Sequence, residues 1–208
     1  MTLFDELNKK HFPAIASKLE DYAKENHVPI IIKDSLMVIF SLLDTINAKN
    51  ILEIGTAIGY SSICMANYTH AHVDTIERND EMYSLAVENI KEANLEDLIT
   101  VHHADALEID LNNLGHYDLI FIDAAKAQNI KFFEKFSPLL NKKGIIVTDN
   151  LFFHGAVEGG IELTKNVTKL AEKIKKYNYY LSSLENYHTV FIPIGDGISV
   201  TWRNEEWS

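Results

Sequence analysis

Apolar residues recur along this chain with two periods, and the change from one to the other outlines the fold. Over residues 1–47 the period is close to 3.6. Phe12, Ile15, Leu19 and Tyr22 share one helical face, Pro29 interrupts, and Leu36, Val38, Ile39, Leu42 and Leu43 mark a second helix. From residue 48 onward short apolar runs alternate with amphipathic stretches. Runs near 50–54, 72–77, 99–102, 117–122 and 144–148 predict strands, and segments near 59–68, 80–93, 128–140 and 163–177 predict helices. Regular alternation of this kind implies an α/β architecture, a parallel sheet with helices on both faces. Leu119-Ile120-Phe121-Ile122 shows no polar alternation, which is the pattern of a strand buried on both sides. The tail reads differently. Segments 179–184, 189–194 and 198–203 predict strands, the last two joined through Gly195-Asp196-Gly197, a hairpin signal that adds antiparallel strands to the sheet.

Neither repeats nor linker-like tracts interrupt the 208 residues, so the expectation is one domain over 1–208, with a helical cap at 1–47 on an α/β core at 48–208. No apolar run approaches the ~18 residues of a membrane span, and Met1 to Lys10 is charged rather than signal-like; a cytoplasmic protein is expected. Cys64 is the single cysteine, which excludes an internal disulfide and a cysteine-based metal cluster; it reads as buried helix filler. A net charge of −11 with only two arginines, Arg78 and Arg203, argues against broad, non-specific nucleic-acid binding. A local basic face remains open. Lys165, Lys169, Lys173 and Lys176 recur at helical spacing, and Lys9-Lys10-His11 cluster near the start; each set is either a binding face or the solvated side of a helix.

Candidate chemistry falls at the strand ends. Asp123-Ala124-Ala125-Lys126 follows one buried run and Asp149-Asn150 follows another. In open α/β sheets ligands bind outside the carboxyl ends of the strands. Two carboxylates and an amide oxygen suit Mg²⁺, Ca²⁺ or Mn²⁺ and fit Zn²⁺ poorly, with Lys126 placed as a base beside them. The alternatives are that these residues only cap the following turns and that Lys126 is only an ion-pair partner of Asp123. At the first strand end stands Glu53-Ile54-Gly55-Thr56-Ala57-Ile58-Gly59-Tyr60-Ser61, where glycines let the backbone turn tightly and approach a ligand at the mouth of a helix. Glu77, 22 residues after Gly55, is placed to accept both ribose hydroxyls of an adenosine, and Asp105-Ala106 closes the third strand where adenine would lie. The E-x-G-x-x-x-G spacing lacks the middle glycine of the dinucleotide fingerprint, which a pyrophosphate needs and a methionine tail does not. S-adenosylmethionine is favoured over NAD.

With these residues in place the chain resembles the cation-dependent, S-adenosylmethionine-dependent O-methyltransferases, the group containing catechol and caffeoyl-CoA O-methyltransferases. The resemblance spans nearly the whole chain. It implies a Rossmann-like class I fold with a mostly parallel seven-stranded sheet, an antiparallel C-terminal hairpin and extra N-terminal helices. It implies that Asp123, Asp149 and Asn150 hold Mg²⁺ or Mn²⁺, that Lys126 is the base with Asp123 beside it, and that Glu77 binds ribose. Glu53, Gly55, Gly59, Tyr60 and Ser61 would serve the methionine end, Asp105 and Ala106 the adenine, with Asp123 also at the cofactor. Residues 51–61, 121–126 and 192–197 look most like the short bacterial branch that methylates 5-hydroxyuridine at the tRNA wobble position. Homodimers are common in the family, and the apolar N-terminal helices offer an interface.

Three readings follow. The first is methylation of wobble 5-hydroxyuridine in the tRNA anticodon, whose 5-hydroxyl and 4-carbonyl form a chelating pair. The second is methylation of a small catechol-like molecule, which offers the same pair. The third is a nucleotide-binding module with a vestigial metal site. Phe152, Phe153 and His154 follow the metal ligands and would line an RNA mouth or a closed pocket. The histidines at 70, 72, 102 and 103 show no ligand spacing and read as surface or core residues.

Overall fold

The computed structural model describes residues 3–153, 155–157 and 164–204. Seven strands form one sheet: β1 (Asn50–Ile54), β2 (His72–Glu77), β3 (Ile99–His103), β4 (Tyr117–Ile122), β5 (Leu140–Thr148), β6 (Tyr187–Ile192) and β7 (Ile198–Arg203). Their order is β3-β2-β1-β4-β5-β7-β6. β1 to β5 pair in parallel, while β7 is antiparallel to both β5 and β6. This is the Rossmann-like fold with the antiparallel hairpin that the pattern anticipated.

Burial on both faces explains the unbroken apolar runs. Ile51 on β1 and Leu119 and Phe121 on β4 turn into one core, shared with α2 (Ala16–Glu25), α3 (Lys33–Ile46), α4 (Tyr60–Thr69) and α5 (Asp80–Glu92). Leu52 and Ile54, with Ile120 and Ile122, turn into the other, against α6 (Asn129–Phe136) and α7 (Lys165–Ser183). β1 and β4 therefore each feed both cores. The N-terminal helices, which begin with the short α1 (Leu3–Asn8), close over the first core: Leu19, Leu36, Ile39, Phe40 and Leu43 are buried, and Phe40 stacks on Tyr68 of α4 at 4.3 Å. Cys64 is buried in α4. Among the described residues no helix is long and apolar enough to cross a membrane.

Two boundaries differ from the pattern. Segment 179–184, read as a strand from its aromatic and aliphatic content, forms the last turns of α7. Ala171, Ile174, Tyr177 and Leu181 line the buried side at helical spacing, and the ring of Tyr180 meets Phe133 of α6 edge-on at 5.9 Å. Tertiary packing outweighs strand propensity here. The start of that expected helix, Leu163, lies outside the described residues. Segment 128–140 is not one helix: α6 ends at Phe136, a 3-10 turn Ser137–Leu139 carries Pro138, and β5 starts at Leu140. Pro138 has no backbone N–H to continue the helix ladder and its ring crowds the preceding turn.

The strand order reverses between β1 and β4, because the chain leaves β1 toward β2 on one side and returns to β4 on the other. Such a switch point opens a crevice at the carboxyl ends of the strands.

Candidate active site

The crevice is stapled by its backbone. The Asp123 N–H donates to the Ile54 carbonyl at 3.0 Å, and the Gly55 N–H donates to the Ile76 carbonyl at 3.1 Å, joining the ends of β1, β2 and β4. Gly55 has φ of +103°, and a Cβ there would lie 2.4 Å from the Asp123 carbonyl oxygen. No other residue fits that approach. A cavity of about 400 Å³ opens above these ends, bounded by Gly55 and Ala57 after β1, Glu77 and Arg78 after β2, and Asp105 and Ala106 after β3. Asp123, Lys126 and Asn150 complete its wall.

Glu77 is held for its task by three backbone donors. Oε2 accepts from the Ala57 N–H and Oε1 from those of Arg78 and Asn79, each at 2.9 Å. Ala57 reaches it by adopting a left-handed conformation, φ 47°. The carboxylate therefore stands at a fixed place on the cavity wall, as a bidentate acceptor for a vicinal diol must. Asp105 accepts from the Leu107 N–H at 2.8 Å and pairs with Arg78 at 3.3 Å. The Leu107 N–H, then Arg78, hold its carboxyl below the usual range despite some desolvation.

Glu53 lies beneath the glycine turn and does not reach the cavity lining. It is fully buried, accepts from the hydroxyls of Ser61, Ser62 and Thr75, and is pushed up to about 7, chiefly by burial and against those hydrogen bonds. Its role in this geometry is to hold the first turn of α4, and with it Ser61, in place. Gly59 caps α4 at φ +84°. Tyr60 points away from the cavity: its hydroxyl donates to Glu20 of α2 at 2.7 Å, and Glu20 also pairs with Lys33 at 2.8 Å. Glu53, Gly59, Tyr60 and Ser61 thus support the turn from behind, while Gly55, Glu77, Asp105 and Ala106 face the space.

At the other end, Asp123 and Lys126 form an ion pair at 2.5 Å with both side chains mostly buried. Asp149 is 2% exposed, and its Oδ1 has no hydrogen-bond partner. Burial first, then the neighbouring Asp123 charge, push its carboxyl up to about 7, opposed by the Asn150 N–H and Lys126. Asn150 follows in a left-handed conformation, φ 61°. Among the described residues no three His, Cys, Asp or Glu side chains converge; the oxygens at this edge come from two carboxylates and one amide. A buried carboxylate oxygen without a partner, beside a second carboxylate, is a demand for positive charge. The donor set fits a hard divalent cation.

The pattern gave no sign of several wall residues. Ala57, Ala104 and Leu107 act through backbone shape, and Pro29, Ile30, Gln128 and Phe132 come from distant segments that only the fold brings in. Arg78 was adjacent to Glu77 in plain view, and its pairing with Asp105 needed the β2–β3 register. His154 lies outside the described residues. His102 pairs with Asp74 at 2.7 Å and His103 stacks on Tyr83 at 4.3 Å.

The O-methyltransferase family profile matches residues 18–204. The chain belongs to that family. It is an S-adenosylmethionine-dependent O-methyltransferase of the caffeoyl-CoA O-methyltransferase-like type. It is 30% identical to a caffeoyl-CoA O-methyltransferase of Medicago sativa over 172 residues, 78% of this chain and 70% of that protein. The crystal structure of a candidate caffeoyl-CoA O-methyltransferase from Staphylococcus aureus superposes with a TM-score of 0.90 at 40% identity, covering 95% of this chain and 96% of the other. An S-adenosylhomocysteine complex of a Bacillus cereus O-methyltransferase shares the fold at a TM-score of 0.76 and 24% identity, with 90% of each chain covered.

Proposed function

We propose that this enzyme methylates the 5-hydroxyl of 5-hydroxyuridine at the wobble position of tRNA, in the cytoplasm, with S-adenosylmethionine as donor and a divalent cation as helper. The observation that carries the reading of the site is the partnerless, buried Asp149 oxygen, which lies beside Asp123 and Asn150, behind the lining of a cavity whose wall also presents Glu77, fixed by three backbone N–H groups. The acceptor assignment rests on the likeness of residues 51–61, 121–126 and 192–197 to the tRNA-modifying branch.

Glu77 would take the ribose hydroxyls, Asp105 with the Ala106 backbone the adenine, and the turn at Gly55 the methionine end, backed by Glu53, Gly59, Tyr60 and Ser61. Asp123, Asp149 and Asn150 would hold Mg²⁺ or Mn²⁺. When bound there, such a cation supplies Lewis-acid polarisation that lowers the pKa of the acceptor hydroxyl. Lys126, neutral once the Asp123 charge is engaged by the cation, would take the proton from that hydroxyl, and the acceptor oxygen would then receive the methyl group in line as the S–CH3 bond breaks and S-adenosylhomocysteine leaves. Asp123 orients the lysine and, by its charge, keeps the proton once transferred. Assembly as a homodimer through the N-terminal helices fits the exposure of Leu3 and Leu7 there.

A second reading, methylation of a small catechol-like acceptor, is favoured by the names of the plant relatives and needs the same site chemistry. Mass spectrometry of tRNA nucleosides from a strain lacking the protein separates the two. Loss of 5-methoxyuridine with accumulation of 5-hydroxyuridine is expected; an unchanged nucleoside profile would overturn the tRNA assignment.

A further inference from the structure

Helix α7 does not stop at the sheet. Tyr177 shares a hydrogen bond with Thr148, the last residue of β5, at 2.8 Å, and Asn178 donates to the Leu151 carbonyl at 3.1 Å, so this part of α7 is level with the carboxyl edge of the strands. From there the helix descends toward β6, whose first residue Tyr187 pairs with Arg203 at the far end of β7. The twelve residues before Tyr177, roughly 18 Å of helix at 1.5 Å per residue, therefore begin on the carboxyl side of the strands, with Ala171 and Ile174 buried beneath them. Helix α7 packs against the 3-10 turn Lys126–Gln128, which brings the helix beside the candidate base.

Lys165, Lys169, Lys173 and Lys176 lie within a sector of about 80° on this helix, taking 3.6 residues per turn. Lys173 stands two turns before Tyr180, whose ring contacts Phe133 of α6, so the stripe borders the flank of α7 that faces α6. All four lysines are exposed, and among the described residues none is in an ion pair. Glu172 is the one acidic residue of α7 and lies beside them; Glu134 of α6 is engaged by Tyr180. In a chain with 30 acidic and 19 basic residues, a cationic stripe of roughly 16 Å with no ion pair among the described residues is a local reversal of the overall field. Its partner is anionic and elongated.

We propose that this exposed stripe, on a helix packed against the Lys126 turn, docks the RNA backbone, holding phosphates that flank the wobble nucleotide while its base enters the cavity beside Lys126. The inference rests on the tRNA reading of the function and adds the surface that would select RNA over a small acceptor.

The test uses an anticodon stem-loop RNA carrying 5-hydroxyuridine, titrated against the full chain and three double variants at several salt concentrations. Lys169→Gln/Lys173→Gln should weaken binding about tenfold and reduce the slope of log affinity against log salt by roughly 1.4 to 1.8, that is 0.7 to 0.9 for each phosphate no longer neutralised. Lys169→Arg/Lys173→Arg, which keeps the charge, should bind like the parent. Lys49→Gln/Lys142→Gln removes the same charge at the opposite edge of the sheet and should also bind like the parent. The heat of S-adenosylhomocysteine binding should be unchanged in all three. If the parent binds the RNA and Lys169→Gln/Lys173→Gln binds equally well, or if Lys49→Gln/Lys142→Gln is weakened as much, the docking surface is wrong and the tRNA reading stands. If the parent does not bind the RNA at all, both are overturned.

Discussion

Replacing Asp149 by Asn should stabilise the metal-free protein while destroying its metal response. The Asp149 carboxyl is pushed from 3.8 to about 7, first by burial and then by Asp123. A folded-state value above the unfolded one means the unfolded chain gives up the proton first as pH rises. Stability is then lost from about pH 4 up to pH 7 and stays low above it. A shift of about 3 units corresponds to a ceiling near 4 kcal/mol at 1.36 kcal/mol per unit. Relaxation and water penetration around a buried charge reduce this ceiling, so about 1–3 kcal/mol is the working range. Asp149→Asn removes the buried charge and should raise Tm in EDTA at pH 8 by roughly 2–12 °C, at 2–4 °C per kcal/mol for a chain of this size. At pH 4 most of the gain should vanish, because the folded carboxyl keeps its proton and the unfolded one, at 3.8, is only partly ionised. Adding Mg²⁺ should raise the parent's Tm and leave the variant's unchanged, since a cation binding only the folded state stabilises it. Thermal denaturation at pH 4, 6 and 8, with and without Mg²⁺, decides the matter. A variant no more stable than the parent at pH 8, or a gain independent of pH, would refute the reading of Asp149 as an uncompensated buried carboxylate awaiting a cation.

Glu77→Ala should weaken S-adenosylmethionine binding about ten- to a hundredfold, the ~1.5–3 kcal/mol of a charge-assisted hydrogen bond, as read by calorimetry; unchanged affinity would remove Glu77 from the ribose site. Lys126→Ala should lower kcat about 10²- to 10⁴-fold with little change in KM, and recover part of the loss at high pH where hydroxide replaces the base. Near-full activity at neutral pH would remove Lys126 from proton transfer. Gly55→Ala should lose about 2–5 kcal/mol, from left-handed backbone strain and from overpacking against the Asp123 carbonyl, and a Tm within 2 °C of the parent would contradict the stapled geometry of β1 and β4.

The parts of this site that strands deliver were legible in the sequence. A buried parallel strand announces itself by an unbroken apolar run, and the first polar residue after it is necessarily at the carboxyl edge, as with Asp123 and Asp149. Glu77 was legible from its place at the end of the second strand, 22 residues after Gly55. Side-chain direction was not. Tyr60 lies next to Ser61 in the motif yet turns to Glu20, because the start of α4 packs under the N-terminal helices. Aromatic content made 179–184 look like strand, and only contact with α6 and β5 shows why it stays helical. Arg78, Leu107 and Phe132 reached the cavity through strand register and helix packing, which no local pattern encodes.

The central claim is tested most directly by incubating the purified enzyme with labelled S-adenosylmethionine, Mg²⁺ and two tRNAs, one carrying 5-hydroxyuridine at the wobble position and one with plain uridine, alongside a simple catechol. Label should enter the hydroxylated tRNA as 5-methoxyuridine, should stay out of the plain one, which offers no hydroxyl to accept it, and should stop when EDTA is added. Rapid labelling of the catechol with none in the hydroxylated tRNA would contradict the account and transfer the site to a small-molecule acceptor.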